Sequence, residues 1–507
     1  LRLVSLLSRR YSVVATNPPY MGSKNMGSVL RQYTRLHYST GKRDLYAAFI
    51  LRCLQLCQKN AKVAMVTQQS WMFLRSFAEL RAIDEEKLKE RPPAAFRGIL
   101  RETSIETLAH LGPGAFEEIS GEVVNVALFV LAKIPLHPEH QIVAFRLIGP
   151  KSAEGKTTLL LDSLHQENLS TVTIIKQSVF LGIPESPIAF WLGPRLFDLL
   201  TGPMVGDVAK VVQGLATTPS DRLIRTYWEC DCNLRWLMYA KGGGYKRWYG
   251  YNQYVIDWEL NGLRIREIGR SRVQNEDYFF RSGWTYSYMA RGSLGLRKMQ
   301  GIIFSNLSSG VLPFREDIGI AAVLNSRISS FIVRSLRPGL VLHEGYVRRV
   351  PIIVEESYTK RLVKSQNFCV SISEMLSSSD ITEMNFAQLQ NLPETLIRSV
   401  WLALVEGALE KEVFDAFCLD SESRTAIISE TGTPAGWHPL IQGYDALPPP
   451  PDDKPEVLDD VLKFLNSHER RVFSPEELYN LRRHLFVLYE AGPGAKVGDD
   501  ERKTESD

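Results

Sequence analysis

Cysteine is scarce in this chain of 507 residues: there are six, at Cys53, Cys57, Cys230, Cys232, Cys369 and Cys418, and no C-x-x-C pair is matched by a second one. That spacing excludes a disulfide framework and a zinc ribbon, and it reads as a reduced, cytoplasmic protein without a metal site. Cys53 and Cys57 sit one helical turn apart, as packing residues do. Long apolar runs are also missing. No stretch reaches the roughly 18 residues a membrane span needs, and the apolar opening Leu1 to Leu7, followed by Arg9-Arg10, lacks the basic-then-apolar order of a targeting peptide. Excess charge is missing as well. A formal net charge of +3 and a pI near 8.4 neither require nor oppose a nucleic-acid partner, so any DNA surface must be a local patch. What remains is an ordinary globular composition, 44% hydrophobic, in a chain long enough for two or three domains.

Against that background one stretch is distinctive: Ser12-Val13-Val14-Ala15-Thr16-Asn17-Pro18-Pro19-Tyr20. Val13, Val14 and Ala15 suit a buried strand, and two prolines without N–H groups force the chain out of the sheet just beyond them. Past the strand stand an amide carbonyl at Asn17, a backbone fixed by Pro18 and Pro19, and the flat face of Tyr20. Those groups suit a planar base bearing an amine. Read from its residues alone, the tetrapeptide is equally a rigid turn.

Downstream, Gly22 to Thr40 is polar and glycine-broken and is predicted to be a mobile loop. Asp44 to Leu56 reads as a helix with Leu45, Phe49, Cys53 and Leu56 on one stripe, and Lys62 to Thr67 as a buried strand ending at Gln68-Gln69-Ser70-Trp71. Strand, helix, strand implies a parallel crossover. Phe73 to Leu88 is predicted helical, Ser104 to Leu111 and Val123 to Ala132 as neighbouring strands, with the turn Gly112-Pro113-Gly114-Ala115-Phe116 between them. No G-x-G-x-x-G opens a helix there, so the turn is not a phosphate cradle.

Asn17 to Tyr20, continued by Met21-Gly22-Ser23-Lys24-Asn25-Met26, resembles the catalytic loop of amino-group DNA methyltransferases, in particular the adenine-specific PglX-type enzymes of BREX phage-resistance systems. Lys42 to Leu56, Gln69-Ser70-Trp71 and Leu111 to Phe116 follow in the order seen in adenine-N6 methyltransferases with a C-terminal recognition domain. The resemblance implies that Asn17, Pro18, Pro19 and Tyr20 are catalytic and that Tyr20 and Phe116 stack on an extruded adenine. On the residues themselves Phe116 is also readable as a core aromatic beneath a turn. It further implies S-adenosylmethionine as cofactor and double-stranded DNA as partner. In such enzymes the cofactor is held upstream of the tetrapeptide, and sixteen residues cannot contain the crossover units required, about 30 residues each. The cofactor-binding residues therefore stay unassigned. The expectation is a C-terminal fragment whose partners include a separate N-terminal half or other BREX components; the alternative is a non-catalytic DNA-binding specificity subunit or an inactive fragment.

From Gln141 the pattern changes to a bridge with one strand, Gln141 to Leu147. Residues 205 to 298 then carry 15 Lys or Arg against 9 Asp or Glu, interleaved with aromatics such as Trp228, Trp236, Tyr245, Trp248, Tyr251 and Trp258. Cations neutralise phosphates and rings contact bases, so the block suits a DNA groove, although aromatic strands also fill cores. Lys241, Lys246 and Arg247, in a glycine-rich loop, and Arg222 are the predicted DNA-binding residues. Ile318 to Arg334 reads as a core-facing helix and Leu340 to Val354 as strand-rich.

The expected fold is α/β: a partial Rossmann-like class I methyltransferase domain, then a mixed α/β target-recognition domain, then a helical C-terminal region. The predicted organisation is 1–140 catalytic half-domain, 141–204 bridge, 205–359 recognition domain, 360–446 helical region, 447–455 proline-rich linker, and 456–507 small helical segment with a polar tail.

Overall fold

The computed structural model describes residues 2–441 apart from 93–94, 117–123, 166–170, 184, 219, 231–234, 269–270, 290–292, 337–340, 390–391 and 438–439, and beyond them 463–464, 466–467, 469–472 and 474–476. The predicted linker 447–455, Cys232 and nearly all of 456–507 lie outside those residues. The chain divides into two compact units, Leu1–Thr201 with Ser335–Pro338, and Gly202–Arg334 with Gly339–Asp507.

The first unit is built on a six-stranded sheet of order β1-β2-β4-β3-β5-β6. A short helix α1 (Arg2–Ser8) precedes β1 (Tyr11–Thr16); helices α2 (Ser28–His37) and α3 (Leu45–Leu56) lead to β2 (Cys57–Gln68). Then come β3 (Ser104–Gly112), β4 (Val126–Ala132), β5 (Gln141–Arg146) and β6 (Val172–Lys176). β1 pairs with β2 in parallel, as the strand–helix–strand pattern predicts. β4 runs antiparallel to both β2 and β3, and β5 is parallel to β3. β1, β2, β3 and β5 therefore all deliver their carboxyl ends to the same edge of the sheet, where open α/β sheets place their ligands.

Several sequence expectations shift. Val13 is 60% exposed, because β1 is an edge strand paired on one side only. The polar segment after the tetrapeptide is not all loop: it contains α2. On α3 the buried face centres on Tyr46, Ile50 and Leu54, and Leu45, Phe49 and Leu56 lie at its margin. Phe73 to Leu88 is not one helix but three short pieces, Arg75–Phe77, Ala78–Arg81 and Glu85–Lys89. The fully buried Arg81 explains the break: its guanidinium donates to the carbonyls of Trp71, Leu74, Glu185 and Ser186, folding the segment around itself. The predicted bridge contributes β5, helix Ala153–Leu164 and β6, so residues up to Thr201 belong with the first sheet.

The second unit contains two four-stranded sheets. One has the order β13-β9-β10-β8 and the other β12-β11-β14-β7. Their strands are β7 (Ala209–Val212), β8 (Ile224–Thr226), β9 (Trp236–Ala240), β10 (Tyr254–Asp257), β11 (Gly283–Ser287), β12 (Leu296–Met299), β13 (Ile303–Phe304) and β14 (Ser308–Pro313). Tyr239, Trp258, Phe279 and Phe304 belong to one buried cluster, so much of the predicted aromatic groove is core. The predicted helix Ile318 to Arg334 is split into Ile320–Leu324 and Arg327–Leu336, because the Asn325 side chain turns away to bond the Leu296 backbone. Leu340 to Val354 is not strand-rich; it holds the short helix Glu344–Val347 and isolated bridges at Val341 and Pro351. The helices Glu356–Ser377 and Leu392–Ala416 pack on each other. Among the described residues no helix is long and apolar enough to cross a membrane.

Candidate active site

Three of the singled-out stretches share one edge of the sheet for a topological reason. Asn17 follows β1, Gln69-Ser70-Trp71 follows β2 and Gly112 to Phe116 ends β3, and these are parallel strands with a common carboxyl edge. A cavity of about 620 Å³ opens at that edge. Its lining includes Ser23, Lys24 and Asn25 from the segment after the tetrapeptide, Asp44 from the cap of α3, and Gln69 and Ser70 from the end of β2.

Within the tetrapeptide, Pro18 is buried, Asn17 and Pro19 are exposed and Tyr20 is half-buried. The Tyr20 hydroxyl donates to Asn17 Oδ1 at 3.3 Å, a long bond that an incoming donor can displace. Burial pushes the Tyr20 phenol up to about 12, so it remains a neutral donor at physiological pH. The ring meets the Tyr46 ring edge to face, with centroids 6.0 Å apart and planes at 84°. Tyr46 is itself fully buried, and its hydroxyl is hydrogen-bonded to the Ser70 hydroxyl at 2.7 Å. Ser70 thus fixes Tyr46, and Tyr46 sets one wall against Tyr20.

Asp44 holds the other side. Its carboxylate accepts from Met21 N at 3.0 Å and from Tyr46 N at 3.4 Å, capping α3 and fastening the residue after Tyr20 to that cap. Backbone bonds from Leu45 N to Met21 O and from Ser23 N to Arg43 O complete the clasp. Burial raises the Asp44 carboxyl above the ordinary range, opposed by the N–H donors.

Behind the cavity, His110 of β3 is hydrogen-bonded through Nε2 to Gln69 Oε1 and stacks on Trp191 at 5.0 Å. Burial, with Arg146 and Lys156 nearby, lowers the imidazole to about 3, so it is neutral. The buried Lys156 donates to the carbonyls of Leu111 and Leu147, tying the ends of β3 and β5. Gly112 and Gly114 have left-handed φ of 64° and 71°, and a side chain at Gly114 would collide with the Lys151 carbonyl. Phe116 stands half-buried beyond this turn. β1 and β3 are three strand spacings apart, about 14 Å.

The predicted DNA contacts separate into two kinds. Lys246 forms a 2.9 Å ion pair with Glu383, a fully buried carboxylate that also accepts from Tyr251 N and Asn252 N. Arg247 pairs with Glu406 at 2.6 Å, and the buried Trp248 donates its indole N–H to the same carboxylate. These two cations brace the glycine-rich loop from within. Lys241 instead lies half-exposed over the Tyr254 ring at 4.4 Å, and Arg222 is exposed on the helix Ser220–Leu223.

Asp44, Tyr46 and His110 were not singled out in the sequence as site residues. Asp44 had a legible signal, an aspartate directly before a helix. Tyr46 and His110 had none, since their roles depend on tertiary partners.

The sequence matches known proteins over much of its length. Residues 5–93 match the family described as Eco57I restriction-modification methylase. Over 386 residues the chain is 32% identical to the adenine-specific methyltransferase PglX of Lacticaseibacillus casei (strain Zhang), a match covering 70% of this chain and 30% of that protein. Over 364 residues it is 31% identical to the adenine-specific methyltransferase BrxX of Escherichia coli O9:H4 (strain HS), covering 69% of this chain and 28% of that protein. The chain thus spans less than a third of the length of these relatives. Its fold is similar to that of the Type IIL restriction-modification enzyme MmeI, solved in complex with DNA, with a TM-score of 0.50 at 12% identity over 82% of this chain and 56% of that one.

Proposed function

This chain is a relative of the PglX-type adenine-specific methyltransferases, matched over 70% of its own length, and on that premise we propose that it supplies the amine-accepting loop and the DNA-recognition portion of an adenine-N6 DNA methyltransferase in phage defence. The observation that carries the reading is the delivery of Asn17, Ser70 and the Phe116 turn to one sheet edge, beside a cavity and with Tyr20 held against Tyr46.

A base inside a duplex cannot offer its exocyclic amine, so it must be extruded and its lost stacking offset. Tyr20 stacks on the extruded adenine and Phe116 contacts it from the other side, each base–aromatic contact being worth about 1–3 kcal/mol. Asn17 Oδ1 and the Pro18 carbonyl accept hydrogen bonds from the amine, with the Tyr20 hydroxyl giving way. Two acceptors on one nitrogen draw it towards tetrahedral geometry and expose its lone pair, which is positioning and electrostatics and not strong-base chemistry. Asp44, Tyr46 and Ser70 keep the loop in place. S-adenosylmethionine supplies the methyl group when bound. The residues named here act on the acceptor amine.

The alternative to be told apart from it is a DNA-binding specificity subunit without catalysis. Fluorescence of duplexes carrying mismatched 2-aminopurine separates the two. The methyltransferase reading expects a fluorescence change on binding that is lost in Tyr20→Ala at nearly unchanged duplex affinity. An unchanged signal in Tyr20→Ala would reject base capture and leave the specificity subunit.

A further inference from the structure

Helix α2 has an unusual surface. Val29, Tyr33 and Leu36 recur at helical spacing on one face and are 81%, 51% and 70% exposed. On its other side only Thr34 is fully buried, with its hydroxyl 3.8 Å from the buried Met26 sulfur. A helix of this length normally turns its apolar stripe to the core; this one turns it outward. The Tyr33 ring lies 4.5 Å from His37 and 6.1 Å from Tyr38, so the stripe ends in an exposed aromatic group.

The helix is also fixed to the candidate site. Arg31 donates from Nε to Ser23 O at 2.8 Å, and from Nη2 to Lys24 O at 3.1 Å and Met26 O at 2.8 Å. Ser23 and Lys24 line the cavity beside the tetrapeptide. Whatever α2 touches is therefore held in register with Asn17 and Tyr20.

Charge identifies the partner. Between Met21 and Arg43 there are five cations, Lys24, Arg31, Arg35, Lys42 and Arg43, and no acidic residue. A protein partner offering an apolar face does not require such a one-sided rim, whereas a duplex does, and basic rims around apolar wedges are how proteins enter and unstack DNA. We propose that α2 is the element that enters the duplex beside the target base: Tyr33, midway along the stripe, fills the space vacated by the extruded adenine, Val29 and Leu36 pack on the sugars to either side, and Lys24 and Arg35 contact the flanking phosphates. The inference rests on the DNA-methyltransferase reading and adds to it how the extruded state is held.

The test compares this chain with the triple variant Val29→Ser, Tyr33→Ser, Leu36→Ser, using a fluorescent duplex either intact or carrying one tetrahydrofuran abasic site. All three positions are exposed, and an unchanged melting temperature verifies the fold. Wild type should prefer the abasic duplex by about tenfold, because the apolar stripe enters a gap that is already there and gains its contacts without a base having to be unpaired first. The triple variant should lose that preference at an unchanged salt slope. Lys24→Ala with Arg35→Ala should keep the preference and flatten the slope by about two. A preference retained in the triple variant overturns the proposal, as does a triple variant whose only change is reduced self-association by light scattering, which would mean that protein covers the stripe. No preference in wild type overturns this inference alone; no duplex binding by wild type at low salt overturns the functional reading beneath it.

Discussion

Two stretches of this molecule look alike in composition and behave oppositely. Residues 21–43 and 241–258 are both rich in cations and both carry tyrosines. In the first, Lys24, Arg35, Tyr33 and Leu36 face solvent. In the second, Lys246, Arg247, Trp248 and Trp258 are drawn inward, two of the cations neutralised by Glu383 and Glu406. Those glutamates arrive from more than a hundred residues away, so local charge counting could not include them. A basic, aromatic stretch is a binding surface only where no distant carboxylate claims it.

The comparison can be broken most forcefully at Glu406. Glu406→Ala takes the carboxylate away from the Arg247 guanidinium and the buried Trp248 indole N–H, and should cost about 3–5 kcal/mol in urea denaturation; a loss under 1 kcal/mol would mean that the loop is not braced there. Next comes pH. His110 titrates near 3 when folded, below the about 6.5 of an unfolded histidine. The unfolded chain therefore takes up the proton first: the His110 contribution to stability is constant above about pH 6.5 and falls by about 1.4 kcal/mol per unit as pH drops towards 3. Denaturation midpoints between pH 7 and 4 check this, and His110→Asn should flatten the profile.

Asp44→Ala should cost about 1–2 kcal/mol by removing the cap of α3 and the Met21 bond, while protection of the Met21 amide in hydrogen exchange falls; unchanged protection would mean that the clasp does not hold the loop. The smallest effect concerns DNA. Lys241→Ala and Arg222→Ala should each lower the salt slope of duplex binding by about one, whereas Lys246→Ala should leave it alone. Equal slopes for Lys241→Ala and Lys246→Ala would erase the distinction between surface and brace.

What was legible in the sequence follows the same division. The strand before Asn17, the crossover through α3 and the strand at Ser104 were readable because periodicity and proline act locally. The edge position of β1 was not, because Val13 and Val14 look alike on edge and central strands. α2 was hidden because a helix with its stripe outward among polar residues resembles a loop. The bridge concealed β6 and helix Ala153–Leu164, whose partners lie in the first sheet. The tetrapeptide stood out as a stretch, while the residues that support it did not: Ser70 was visible only as part of a motif, and Tyr46 and His110 depend on contacts across the sheet edge.

The central claim is that Asn17 accepts the amine of a target adenine. Its most direct test is tritium transfer from labelled S-adenosylmethionine to duplex DNA by a protein carrying this chain together with a cofactor-binding half, followed by nucleoside chromatography. The account predicts label in N6-methyl-2′-deoxyadenosine, and a loss of about a hundredfold to a thousandfold in Asn17→Ala at nearly unchanged DNA affinity. Equal turnover in Asn17→Ala, or label in cytosine, would contradict it.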